Sequence, residues 1–348
     1  MKAVVVKNVG VIELQDIPEP EPAPDQIKVK IAYSGICGSD PINVKGGLDI
    51  TPYQKGSIGW LQKPLPRGDG VHVLGHEASG TIVKIGKDIK GDFKIGQHVA
   101  MNFWNTCGIC YYCTRGSYFC EGFISNSGAM AEYALYREES IYSLPDNVSL
   151  DAGAFLEPTA IAVHAVENAH IKLGDSVIIT GGGPIGLLIM QLVIKSGASN
   201  VLVSTRTAEK RKLAKQLGAD VVVDPIHEDL LAITKEFTDG RGFSVSFETS
   251  GSLSVARQLI LLAESAGTVV WVATYQGNLD VGVPISYVHA KEITIRNVVP
   301  SPYSFRSALQ MLPKLDLKPM ITVYPLQDAI KAFEAQSTGK FSKILLKL

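Results

Sequence analysis

Between residues 175 and 192 the chain reads "DSVIITGGGPIGLLIMQL": a short apolar run, then Gly181-x-Gly183-x-x-Gly186, then an apolar stretch of helical length. Few stretches limit the fold more. The first glycine permits a tight turn out of a strand, the second lets the backbone approach a pyrophosphate, and the third lets the following helix pack closely on the strand. Pro184 and Ile185 complete the turn, and the helix N-terminus behind them faces a phosphate with unpaired N–H groups. Alone, such a spacing means little. Here it opens a long alternation of strand and helix patterns, "NVLVST", "AEKRKLAKQLG", "DVVVD", "LLAITKEFT", "FSVSFETSG", "SVARQLILLAESAG" and "TVVWVAT". That alternation means βαβ units on a parallel sheet. The class is α/β, with a doubly wound, dinucleotide-binding sheet.

The sheet occupies less than half of the chain. At roughly 150 residues per domain, 348 residues suggest two. Residues 1 to about 150 read as β-rich, with "KAVVVK", "QIKVKIAYSG", "GTIVKIG" and "HVAMNF" separated by Gly, Pro and Asp. After about 290 come a strand, two helices and a last strand, "KILLKL". The formal net charge is -1 and no basic stripe appears, so nucleic acid is not an expected partner. The N-terminal apolar run is broken by Glu13 and Asp16, unlike a signal peptide, and no run reaches the roughly 18 residues of a membrane span. The expectation is a cytoplasmic protein with reduced thiols.

The second strand of the sheet selects the cofactor. A carboxylate at its tip would hold the ribose 2′-hydroxyl of NAD. The tip reads Ser204, Thr205, Arg206, with Lys210 one helical turn further on. A small hydroxyl and two cations suit a 2′-phosphate. They are also compatible with a solvated helix start, but cations there oppose the helix macrodipole unless an anion is bound nearby. NADP(H) is therefore expected over NAD(H).

Four of the five cysteines fall in "NTCGICYYCTRGSYFC". Cys107, Cys110, Cys113 and Cys120 can wrap one zinc tetrahedrally; four protein ligands leave no open position, so such a site braces structure. An iron–sulfur cluster is the other metal reading, and free or redox-paired thiols are the reading without metal. Cys37, in "SGICGSD", stands apart. With His76 of "VLGHEASG" and Glu157 of "FLEPT" it gives one thiolate, one imidazole and one carboxylate, a three-ligand zinc set with an open position. Glu77 adjoins His76. A buried cysteine and a core histidine are the plainer alternatives.

Taken in order, "GICGSD", "GHEASGTIVKIG", "CGICYYC", "EPTAIAVHAV", "GDSVIITGGGPIG", "AKQLGAD", "FETSG" and "KILLKL" resemble the zinc-containing medium-chain dehydrogenases, along essentially the whole chain. Glu157-Pro158 is similar to the Glu-Pro of the polyol branch, which includes sorbitol, butanediol and threonine dehydrogenases. The resemblance implies a GroES-like catalytic domain over 1–153 and 290–348, with a structural zinc lobe at about 102–122. It implies a Rossmann domain over 154–289 and a catalytic zinc at the cleft between the domains. By the family pattern Cys37, His76 and Glu77 are ligands, and Glu157 is a ligand or holds the metal-bound water. Ser39 relays the alcohol proton, and Asp40 orients the ligand histidine. The implied reaction moves a hydride between a secondary alcohol, most simply a polyol or vicinal diol, and the nicotinamide. The implied assembly is a homodimer or homotetramer.

The sequence also departs from the pattern. The last lobe gap is six residues where seven is usual. The histidine that often follows "GSD" is replaced by Pro41-Ile42-Asn43. The Arg-Tyr pair that grips polyol hydroxyls falls on Pro300 and Ser301. Residues 41 to 72 are long, and Tyr53, Ile58, Trp60 and Leu61 in them either cover the substrate mouth or form a surface loop. The first option keeps open a bulkier apolar alcohol or ketone as substrate. A non-catalytic NADPH-binding protein is the alternative of another class, and the retained Cys37, His76, Glu157 and Ser39 speak against it.

Overall fold

The structure, a computed structural model, describes residues 1–45, 72–116, 120, 124–125, 128–275, 280–299 and 302–348. The apolar insert with Tyr53, Ile58, Trp60 and Leu61 lies outside the described residues, as do Pro300 and Ser301. The chain divides into two compact units, Met1–Ala160 with Pro300–Leu348, and Ile161–Val299.

Along the chain the first strands are β1 (Lys2–Asn8), β2 (Val11–Asp16), β3 (Ile27–Gly35), β4 (His72–Val73), β5 (Glu77–Ile85), β6 (His98–Met101), β7 (Trp104–Asn105), β8 (Ile124–Ser125), β9 (Tyr133–Tyr136) and β10 (Ile141–Ser143). A short helix α1 (Asp40–Val44) follows β3; α2 (Leu150–Gly153) and α3 (Leu156–Ala169) follow β10. The Rossmann-type run is β11 (Ser176–Thr180), α4 (Pro184–Lys195), β12 (Asn200–Ser204), α5 (Ala208–Gln216), β13 (Val221–Val223), α6 (Leu230–Phe237), β14 (Phe243–Glu248), α7 (Leu253–Leu262), β15 (Ala263–Trp271), α8 (Ile285–Ala290) and β16 (Thr294–Asn297). The chain closes with α9 (Phe305–Met311), β17 (Ile321–Pro325), α10 (Ala329–Ser337) and β18 (Lys343–Lys347).

In the first unit the main sheet runs β10-β6-β5-β3-β18-β17, with β9 also paired to β3. Strand β3 reads "IKVKIAYSG", and its period of two sends Ile27, Val29 and Ile31 to one face. There they bury against Ile82, Val99, Met101 and Tyr136. One feature of register places the candidate site. Gly35, the last residue of β3, is opposite Glu77, the first of β5, and on its other side opposite Leu345 of β18. The chain leaving β3, the chain entering β5 and the start of β18 therefore meet at one end of the sheet.

In the second unit β13-β12-β11-β14-β15-β16 lie in that order, all parallel. Strand order reverses between β11 and β14, the switch point at which open α/β sheets bind ligands. The core strands are covered on both faces and read as apolar runs rather than alternations; Val177, Ile178 and Ile179 are all fully buried. Among the described residues, no helix is long and apolar enough to cross a membrane.

Candidate metal centres and dinucleotide turn

Cys37 follows β3 by two residues, and His76 immediately precedes β5. Antiparallel pairing of Gly35 with Glu77 thus brings both side chains to the same sheet end. One ligand atom each from Cys37, His76 and Glu77 lies within 4.8 Å of the other two. Glu77 is 2% exposed, Asp40 1% and Glu157 4%. Three carboxyl groups are not buried together without compensation.

Their mutual influence is visible in how they hold protons. Burial works against a charged His76, yet the neighbouring Cys37, Asp40 and Glu157 raise its pKa well above the ordinary value. Burial pushes Glu157 up to about 7, with His76 pulling it down and Glu77 pushing it further up. Asp40 is also raised by burial, opposed by His76 and by the Cys37 N–H. Asp40 Oδ2 accepts that N–H at 2.8 Å, and its Oδ1 lies 3.6 Å from His76 Nδ1. It thereby fixes the loop carrying the thiol and faces the ring of the histidine, in keeping with an orienting role. Ser39 is half-buried in the turn between Cys37 and α1. Glu157 sits in the first turn of α3.

A soft thiolate, an imidazole and a carboxylate are the donors that zinc takes in three-ligand sites, so the set fits that metal. Glu77 rather than Glu157 completes the compact triad; Glu157 stands close enough to act electrostatically on His76 and Glu77.

The four-cysteine lobe also gathers. Cys107, Cys110, Cys113 and Cys120 present their sulfurs within 4.8 Å of one another, despite the shortened last gap. Cys110 and Cys113 are 3.4 Å apart at sulfur, and Cys107 N–H donates to Cys120 Sγ at 3.2 Å. All five cysteines are unbridged. Burial and the Cys110 sulfur push the Cys113 thiol up to about 12. A divalent cation among them would reverse that, since a coordinating thiol gives up its proton.

In the second unit the glycine motif turns from β11 into α4. Gly181 has φ of 103°, in the left-handed region, and its N–H donates to Ser204 O at 2.8 Å. A Cβ on Gly186 would collide with the Gly181 carbonyl oxygen, and one on Gly183 would meet nothing within 4 Å. The third glycine is thus there for packing, and the second for open approach from outside. Gly183 is the N-cap of α4 and Pro184 its first residue, where the missing proline N–H costs nothing; Ile185 follows, half-buried.

Ser204 and Thr205 are buried at the tip of β12, and Arg206 is exposed beyond it. A Cβ on Gly182 would lie 2.9 Å from Thr205 Oγ1 and 3.1 Å from Lys210 Cβ, so Lys210 flanks the glycine turn. Burial lowers the Lys210 pKa, and Arg206 lowers it further. An anion between these two cations would relieve both effects. Arg211, which sequence reading missed, is committed elsewhere. It donates to the carbonyls of Thr205 and Arg206 at 2.9 and 2.6 Å and pairs with Asp224 at 3.0 Å, and so shapes the tip. Its only sequence signal was a third cation in "RTAEKRK".

A second missed residue is Lys343. It is 1% exposed, forms an ion pair with Glu77 and donates to the Ile36 carbonyl at 3.1 Å. The available signal was a lysine heading the buried strand "KILLK".

Comparison with known proteins bears on both units. Residues 23–146 match the family described as alcohol dehydrogenase GroES-like domain, and residues 184–314 the zinc-binding dehydrogenase family. The D-arabitol-phosphate dehydrogenase of Enterococcus avium is 34% identical over 346 residues, covering 95% of this chain and 92% of that protein. The sorbitol dehydrogenase of Halalkalibacterium halodurans is 32% identical, covering 99% of each. A Sinorhizobium meliloti protein described as a zinc-binding dehydrogenase, solved bound to NADP, superposes with a TM-score of 0.88. It is 29% identical and covers 100% of this chain and 99% of its own.

Proposed function

We propose, starting from the fact that the chain belongs to the zinc-binding alcohol dehydrogenase family, that it moves a hydride between NADP(H) and a secondary alcohol or ketone of the polyol or vicinal-diol class. The single observation that carries this reading is the compact Cys37–His76–Glu77 triad, whose three donors leave one position of a tetrahedral ion for substrate. When bound there, zinc supplies Lewis acidity toward the substrate oxygen.

The chain's own residues do the rest. Cys37, His76 and Glu77 are the proposed ligands, and Asp40 steadies the loop and the imidazole. Glu157 provides a second buried carboxylate beside the proposed ligands. Ser39 is the proposed carrier of the alcohol proton. Cys107, Cys110, Cys113 and Cys120 are proposed to hold a second, structural zinc.

For the cofactor, the reading rests on Gly181, Gly183 and Gly186 for the pyrophosphate, and on Ser204, Thr205, Arg206 and Lys210 for the 2′-phosphate. The tip of β12 carries no carboxylate, and the neighbouring Arg206 adds to burial in lowering the Lys210 pKa. The Sinorhizobium meliloti relative is bound to NADP. The polyol class is supported by the relatives that act on arabitol phosphate and sorbitol.

The test is oxidation of NADPH and NADH against a panel of ketoses, hydroxyketones and bulky apolar ketones, with and without a chelator. The expected result is chelator-sensitive turnover of a ketose or hydroxyketone with NADPH. Turnover confined to apolar ketones would contradict the substrate class, and insensitivity to prolonged chelation would contradict the metal.

A further inference from the structure

The start of β18 adds a charge to the triad that the proposed ligand set does not account for. Gly35 faces Glu77 on one side and Leu345 on the other, and Lys343 lies two residues before Leu345, so all four residues share a sheet face. Gly35 has no side chain, and the lysine crosses above it to the glutamate. A Cβ at position 35 would strike Glu77 Oε2 and lie 2.9 Å from Lys343 Cε.

Among the described residues the lysine has two oxygen partners, one carboxylate and one carbonyl. Lys343 Nζ meets Glu77 Oε2, and a second of its three N–H groups goes to the Ile36 carbonyl. Both side chains are 2% exposed or less, and a buried ammonium does not give up a buried carboxylate without a large desolvation cost. Besides Glu77, the neighbouring Cys37, Glu157 and Asp40 also act on it electrostatically.

We infer that Lys343 is a positioning residue that holds Glu77 Oε2 away from the metal, so that Glu77 gives it a single oxygen and the fourth position stays open to substrate. The inference rests on the reading of Cys37, His76 and Glu77 as ligands. A glutamate free to use both oxygens would fill the open position and bind the ion more tightly. A lysine of merely structural value would have the opposite signature, since its loss would loosen the site.

The test loads apoprotein with Co²⁺ or Zn²⁺, in wild type, Lys343→Met and Lys343→Arg, and subtracts the lobe's contribution with Cys37→Ser. In Lys343→Met, metal release to a chelator is expected to slow by about tenfold, a modest gain in binding. The Co²⁺ d–d absorption weakens as the ion leaves four-coordination. Lys343→Arg keeps both wild-type properties. Unchanged or faster release from Lys343→Met, with an unchanged spectrum, would overturn the inference. Absence of Co²⁺ binding at this site in the wild type would instead overturn the ligand reading itself. Should Lys343→Met not fold, the zinc-loaded wild type decides. One Glu77 oxygen at about 2.0–2.2 Å from zinc, with the other on Lys343, is the expected geometry. Both oxygens on the ion would contradict it.

Discussion

Cys37→Ser is expected to lower kcat/KM by about three orders of magnitude or more, with little change in the melting temperature. A serine hydroxyl is not ionised at neutral pH and does not replace a thiolate as a soft donor. The His76–Glu77 remainder offers two ligands, too few to fix the ion against the substrate. Lewis-acid stabilisation of the substrate oxygen is worth several kcal/mol, and each 1.4 kcal/mol of it is about tenfold in rate. The fold should tolerate the change, because Cys37 lies in the turn after β3, outside the apolar cores. Steady-state kinetics alongside metal analysis checks this: metal content should fall from two ions per chain to one, the ion of the cysteine lobe remaining. Wild-type kinetics in a variant with one ion per chain would contradict it.

The second large effect concerns the tip of β12. In the double variant Arg206→Ala, Lys210→Ala, KM for NADPH is expected to rise by about 10²-fold, roughly tenfold for each contact to a phosphate oxygen that is lost. KM for NADH should move less than about twofold, because neither side chain has a role toward an unphosphorylated ribose. Thr205→Asp should act in the same direction and add affinity for NADH, since a carboxylate at this position accepts from the 2′-hydroxyl. Arg211 must be left intact in these variants, as its bonds to the Thr205 and Arg206 carbonyls hold the tip in place. Parallel losses for both cofactors would mean that the cations support the fold and not the phosphate.

The second unit was legible because its signals are local. Gly181, Gly183 and Gly186 fall within one turn, and the constraint on each is steric and short-range: the Gly186 Cβ strikes the Gly181 carbonyl five residues back. The cysteine lobe was legible for the same reason, its four cysteines spanning fourteen residues of contiguous chain. The gathering of Cys37, His76 and Glu77 was not legible from spacing. Cys37 and His76 are far apart in sequence, and only the antiparallel register of Gly35 with Glu77 puts them side by side. The family resemblance supplied what the spacing lacked, and the geometry chose Glu77 over Glu157 for the compact set. Lys343 was missed because it lies more than 260 residues from Glu77, in a strand whose other buried residues are aliphatic. Its meaning depends on a glycine, a kind of signal read more readily as a turn than as a gap left for two side chains to meet.

Diffraction from crystals of the zinc-loaded protein, recorded on both sides of the zinc absorption edge, locates each bound ion. The expectation is two anomalous peaks per chain, one among Cys107, Cys110, Cys113 and Cys120 and one joined to Cys37, His76 and Glu77. A single peak in the cysteine lobe, with the other three side chains bound to no ion under excess zinc, would contradict it.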